Sequence, residues 1–142
     1  MTPGAARRLG LALLAGAVAG LVILGIGGRL AMWIIALAAG QAPRFSVGGS
    51  MTVVWLGALF GAPGGAIALA LRRSVAWRPL ARGAVLGGLG LAVALVVVGR
   101  QFEGPVTTPP VLFVVLGSFA VMFLAYGVVL TLVVARWVER AS

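Results

Sequence analysis

Four long apolar blocks decide what this chain can become. They run Leu9–Ala39, Met51–Leu71, Gly83–Gly99 and Val111–Ala135, and Arg29 is the only charge inside any of them. A helix needs about 20 residues to cross a hydrocarbon core about 30 Å thick, at 1.5 Å per residue. The second and fourth blocks meet that length, the third is short but sufficient, and the first exceeds it. Strands of a membrane barrel would be about ten residues long and would alternate in polarity, which these blocks do not do. The expected fold is therefore all-α: one polytopic domain over residues 1–142 with four transmembrane helices. The spans are residues 9–28 with a continuation over 30–39, then 51–71, 83–99 and 111–135, an order that allows two helical hairpins.

A soluble domain could not hide so much apolar chain. Here 62% of residues are apolar and 9% charged, against about 45–50% and about 25% in soluble globular domains. All eleven basic residues are Arg and both acids are Glu, while Lys, Asp, Asn, His and Cys are missing. Arg, Gly, Ala and Pro have GC-rich codons and Lys and Asn AT-rich ones, so the bias reads as a GC-rich, bacterial coding sequence. Without Cys there are no disulfides or thiolate ligands, and the redox compartment stays open. The net charge of +9 raises nucleic acid as a partner. The Arg residues, however, sit at the ends of apolar blocks, where they orient spans and meet lipid headgroups; no nucleic acid is expected.

The first block is read as a retained span. Arg7 and Arg8 precede it and Ala36-Leu37-Ala38 resembles a cleavage site, but a cleavable apolar region runs about 7–15 residues and Arg29 intervenes. The Arg7-Arg8 pair is likewise a topology signal before it is a twin-arginine export signal. With four spans, one side carries Arg7, Arg8, Arg72, Arg73, Arg78, Arg82, Arg136 and Arg140; the other carries Arg44, Arg100 and, on some placements, Arg29. The positive-inside rule then puts both termini in the cytoplasm of a bacterial cell, with the chain in the cytoplasmic membrane. Trp33 and Trp55 fall near the outer boundary, Trp77 and Trp137 near the inner one. Gly16-Ala17-Val18 leading to Gly28-Arg29 is similar to Gly83-Ala84-Val85 leading to Gly99-Arg100, which raises a parallel duplication of two hairpins.

Glycine spacing gives the clearest packing signal. Gly16/Gly20, Gly57/Gly61/Gly65 and Gly83/Gly87 are small-xxx-small patterns, and Gly127 lies at matching depth. Such residues let helix backbones approach closely, so the eight positions are expected to form a seam, used either within one chain or between chains. Pro63 deletes a backbone hydrogen bond in the second span and predicts a kink or break there. Arg29 is a candidate functional residue because a charge within a span is costly to keep; its simpler role is an anchor at the outer interface. Arg8 to Arg29 encloses one membrane thickness, and Gly25, Gly27 and Gly28 offer a place for the first helix to bend or end. Arg72, Arg73, Arg78 and Arg82, with Trp77, are expected to contact anionic lipid headgroups.

Absent chemistry narrows the function. With no His, Cys or Asp, and with Glu103 and Glu139 outside the spans, the chain offers no metal cluster and no nucleophile–base pair. Ser118, Tyr126 and Thr131 are isolated hydroxyls expected to bond backbone, and Thr107-Thr108-Pro109-Pro110 is a rigid turn. No catalytic residue and no cofactor are expected.

The stretch Gly28-Arg29-Leu30-Ala31-Met32-Trp33, followed by Phe45-Ser46-Val47-Gly48-Gly49-Ser50, resembles a group of small four-helix bacterial membrane proteins. That group carries an Arg-Leu-Ala-Met stretch and a Phe-Ser/Thr-x-Gly-Gly-Ser/Thr loop. The resemblance implies the four-helix fold and brings no activity with it. The chain's size and Gly27-Gly28-Arg29 also resemble small fluoride channels, but the Thr-Thr-Phe-Ser segment of that family is missing, which rejects the match. Two functions stay in view. The first is a non-catalytic protein acting through helix contacts, as a homo-oligomer or as an accessory subunit with other membrane proteins. The second is a small dimeric channel or transporter, for an anion rather than a cation.

Overall fold

The computed structural model describes residues 3–43, 46–74, 78–99 and 109–140, and no strand occurs among them. Arg44, Phe45, Trp77, Arg100, Glu103, Thr107 and Thr108 lie outside the described residues, as do the side chains of Arg73, Glu139 and Arg140. Four helical elements, each long and apolar enough to cross a membrane, make up the described chain.

The first element joins α1 (Pro3–Ala19), a π-helical segment (Gly20–Ile26) and α2 (Gly27–Ala38) without interruption. The second is α3 (Val47–Ser74), the third α4 (Pro79–Gly99) and the fourth α5 (Pro109–Arg140). Pro3, Pro79 and Pro109 each open a helix, where a missing N–H costs nothing and the fixed φ is already helical. Ser46 caps α3, its hydroxyl accepting from the Gly49 N–H at 3.2 Å. The first element stops at Gly40, whose φ of +67° turns the backbone into the left-handed region. There the Gly40 N–H bonds Leu37 O at 3.0 Å and the Gln41 N–H bonds Ala36 O at 2.9 Å, closing the last turn as a Schellman cap.

The first helix is therefore long and not broken at Gly27-Gly28. The irregularity lies just before them, where the Gly27 N–H reaches back five residues to Val22 O, the wider spacing that defines a π turn. The backbone freedom of this glycine-rich stretch goes into hydrogen-bond spacing, not into a separate segment over residues 30–39. Its apolar stretch Gly4–Ala38, 35 residues, is about 52 Å long by the α-helical rise, well beyond one hydrocarbon thickness.

Packing is uneven along the bundle axis. The buried core joins Ala12, Ala15, Ala19, Ala68, Leu69, Leu86, Tyr126, Leu130 and Val134, all in the half of the bundle nearest the Arg-rich helix ends. Toward the other end α5 has no buried residue from Pro109 through Ala125, and α4 none from Gly88 through Val97. There α2 and α5 line an open apolar groove of about 570 Å³, bordered by Gly27, Ala31, Ile34, Val114, Gly117 and Met122. Lipid tails are as apolar as the side chains they would replace, so close backbone contact and hydrogen bonds must hold this bundle together.

Candidate functional site

Glycine supplies the close contact, in two seams rather than one. Along the first, a Cβ placed on Gly16 would lie within 3.0 Å of Gly65 N and Ala62 O, and one on Gly57 within 3.0 Å of Gly20 O and Gly25 N. Gly20 faces the backbone of Gly57 and Gly61, Gly61 that of Gly16 and Gly20, and Gly65 that of Ala12, and Gly25 continues the contact to Val54 Cα. The second seam joins α4 to α5: Gly83 meets Val128 Cα and Gly127 O, Gly87 meets Phe123 and Leu124 backbone, and Gly127 meets Gly87 N. All eight glycines singled out by spacing touch neighbouring helices of their own chain. The second helices of the two hairpins differ, however, at Leu56-Gly57 and Leu116-Gly117. Gly57 is packed, while a Cβ on Gly117 would meet nothing within 4 Å.

Tyr126 ties the two seams together. Its hydroxyl donates to Gly61 O at 2.7 Å, and its ring tip fills the space that a side chain on Gly64 would need. This bond sits beside Pro63, where the helix is not broken: α3 runs through Pro63 as one helix of 28 residues. The carbonyl deprived of its partner is that of Leu59, four residues back, and Pro63 itself is exposed, so the ring displaces no neighbouring helix. Thr131 makes the corresponding link in the second hairpin, its hydroxyl lying 3.0 Å from Gly127 O and 3.1 Å from Pro79 O. Ser118 lines the groove.

Arg29 has a defined setting. Gly28 packs at the level of Val53, so the Arg29 side chain leaves α2 near the second turn of α3 and reaches toward that helix's start. Its Nε donates to Ser50 Oγ at 3.1 Å and its Nη2 to the same oxygen at 2.6 Å. Nη2 also lies 3.5 Å from Ser46 O, and Nη1 lies 4.0 Å from Met32 Sδ. Ser50 passes the contact on, its hydroxyl donating to Ser46 O at 2.8 Å. The two stretches that carry the family resemblance thus meet: Arg29 and Met32 from one, Ser46 and Ser50 from the other.

The electrostatics of this corner are uncommon. An α-helix N-terminus bears partial positive charge and is a poor neighbour for a cation, yet the first turn of α3 receives a guanidinium. The acceptors Ser50 Oγ and Ser46 O offset that repulsion locally and satisfy part of the five-donor fork. Arg29 is a candidate from the sequence, whereas the Ser46–Ser50 stretch stands out there only through the family resemblance. The Tyr126 bond does not stand out there at all, because nothing in the sequence pairs position 126 with position 61.

At the opposite end, Arg72 Nη1 donates to Ala135 O at 3.4 Å, joining the ends of α3 and α5. Arg78 and Arg82 flank the start of α4, Arg78 exposed and Arg82 half-buried. Trp33 and Trp55 are exposed on α2 and α3, and Trp137 packs against the buried core. Comparison of the chain with protein-family models, with curated protein sequences and with solved structures finds no match.

Proposed function

We propose that this chain is a non-catalytic membrane protein that works through helix contacts, with copies of itself or as an accessory subunit of a larger membrane complex. Its place is the cytoplasmic membrane of a bacterium, with both ends and the 72–82 connection facing the cytoplasm. The observation that carries the reading is how the polar groups within the spans are used. Arg29, Tyr126 and Thr131 each direct at least one hydrogen bond to another segment of the chain, and among the described residues no buried side-chain polar atom is left without a partner. Polar groups spent on holding helices together support a role in assembly more than one in chemistry. The eight-to-two Arg imbalance supports the orientation.

Two measurements test this. Purified chain in nanodiscs should be larger than a single copy or should bring defined membrane subunits with it, and its liposomes should pass halide and phosphate no faster than protein-free liposomes. A single-copy particle with anion flux above background would overturn the reading in favour of a channel. For the orientation, a C-terminal fusion should be active only with a reporter that works in the cytoplasm; activity of a periplasmic reporter there would overturn it.

A further inference from the structure

The first span holds one residue more than a regular α-helix needs between its contacts. Its buried positions run Ala12, Ala15, Gly16, Ala19 and Gly20, then Gly25, Gly28 and Ala31. Steps of three and four residues keep one face of an α-helix turned to its neighbour, but Gly20 and Gly25 are five apart. That step falls in the π-helical segment Gly20–Ile26, where the Gly27 N–H reaches Val22 O. The extra residue in the turn restores the face, and Gly25 comes to rest against Val54 Cα. The same step aims α2: Gly28 faces Val53 and Met122, and Arg29 reaches Ser50.

In an α-helix each residue turns the chain by about 100° and raises it by about 1.5 Å. If the π turn became α-helical with no residue lost, each residue beyond it would move into the place of the next. Leu24 would stand where Gly25 now meets the Val54 backbone, and Gly27 would replace Gly28. Arg29 would take the place of Leu30, which lines the groove between α2 and α5. Two locks oppose the change, the bulk of Leu24 against Val54 and the hydrogen bonds from Arg29 to Ser50. Elsewhere α2 is lightly held, with Leu30, Met32, Trp33, Ile34 and Leu37 all exposed. Single π turns within α-helices recur at functional sites. We propose that Gly20–Ile26 is a rotary register. Its stored residue keeps Arg29 on Ser50, and releasing that residue turns α2 while α1 stays seated on α3, carrying Arg29 to the groove.

The chain has no Cys, so introduced pairs report the rotation of α2 directly. In nanodiscs, Gly28→Cys with Val53→Cys should form a disulfide about tenfold or more faster than Gly27→Cys with Val53→Cys, because a pair whose Cβ vectors point apart is bridged only by moving backbone. Deleting Val22, an exposed residue of the turn, should leave the bundle assembled and that preference unchanged. The turn then becomes α-helical, and every residue from Gly25 onward keeps its place. A deletion in a regular helix would instead rotate everything beyond it. Loss of assembly, or transfer of the cross-link to Arg29→Cys with Val53→Cys, would therefore overturn the proposal. Removing both locks, with Leu24→Gly and Arg29→Gln, should speed the Gly27→Cys cross-link by about tenfold, the scale set by hydrogen bonds from a charged group. The same two changes should have no such effect in the chain lacking Val22, where no residue is left to release. A cross-link that stays on Gly28→Cys after both locks are removed, or one that shifts equally without Val22, would also overturn it.

Discussion

Replacing Gly61 with leucine should prevent the bundle from assembling, while the same replacement at Gly117 should leave it intact. A Cβ at Gly61 would fall on Gly16 O and 2.6 Å from Gly20 Cα. These are backbone atoms, so no rotamer change relieves the overlap and α1 and α3 must separate. Separation would also pull Gly61 O away from the Tyr126 hydroxyl, loosening a bond that joins the two hairpins. Overpacking in a well-filled interior typically costs about 1–3 kcal/mol. Four added carbons between two touching backbones put the expected loss at about 3 kcal/mol or more. A Cβ at Gly117 meets nothing within 4 Å, so leucine there has open space to enter and should change stability by less than about 0.5 kcal/mol. Unfolding in mixed micelles, with gel filtration of the folded fraction, reads both. Equal tolerance at the two sites would mean that the glycine seams do not hold the fold.

This contrast follows from residues that stood out by spacing alone, and it marks how far the sequence is informative here. Apolarity located all four spans because a lipid-facing helix has no other way to satisfy its surroundings. It misplaced their ends because helices continue past the hydrocarbon. The second block begins at Met51 but α3 begins at Val47, where Ser46 can cap it. The third block begins at Gly83 but α4 begins at Pro79, and the fourth at Val111 but α5 at Pro109, each at a proline suited to the first turn. The π-helical segment over Gly20–Ile26 had no comparable signal. Its residues are ordinary apolar helix formers and glycines, and the change in hydrogen-bond spacing is settled by how Gly20 and Gly25 seat against Gly57 and Val54.

Long-range polar contacts were the least legible part. Arg29 was conspicuous as the lone charge in an apolar block, and Ser46–Ser50 as a small polar loop, but spacing along one chain cannot say that they touch. The structure joins them because an antiparallel hairpin brings the residues after Gly28 level with the start of α3. The same hairpin logic places Arg7, Arg8, Arg72, Arg78, Arg82 and Arg136 toward one end of the bundle. Arg residues far apart in sequence gather at one end because each marks where a helix enters or leaves the apolar layer, and antiparallel neighbours alternate those ends.

Arg29 offers the second large effect. Its guanidinium places two nitrogens on one serine oxygen, and hydrogen bonds to charged groups contribute about 1.5–3 kcal/mol each in mutational series. Arg29→Gln, which removes the charge and shortens the reach to α3, should destabilise the bundle by about 2–3 kcal/mol. Arg29→Lys keeps the charge but presents a single ammonium without the fork, so it should recover less than half of that loss. Ser50→Ala tests the same contact from the other side. If the pair is what holds the corner, combining Ser50→Ala with Arg29→Gln should cost less than the sum of the two, with a coupling of about 1–2 kcal/mol. The outcomes separate the roles open to this residue. Full rescue by Lys would mean that charge alone matters and that the site serves an anion or a partner carboxylate. Failure of both variants together with strong coupling to Ser50 would mean a forked brace between the first and second spans. If all three variants insert, assemble and unfold like the parent, Arg29 only anchors the helix at the interface, and neither the brace nor the anion site survives.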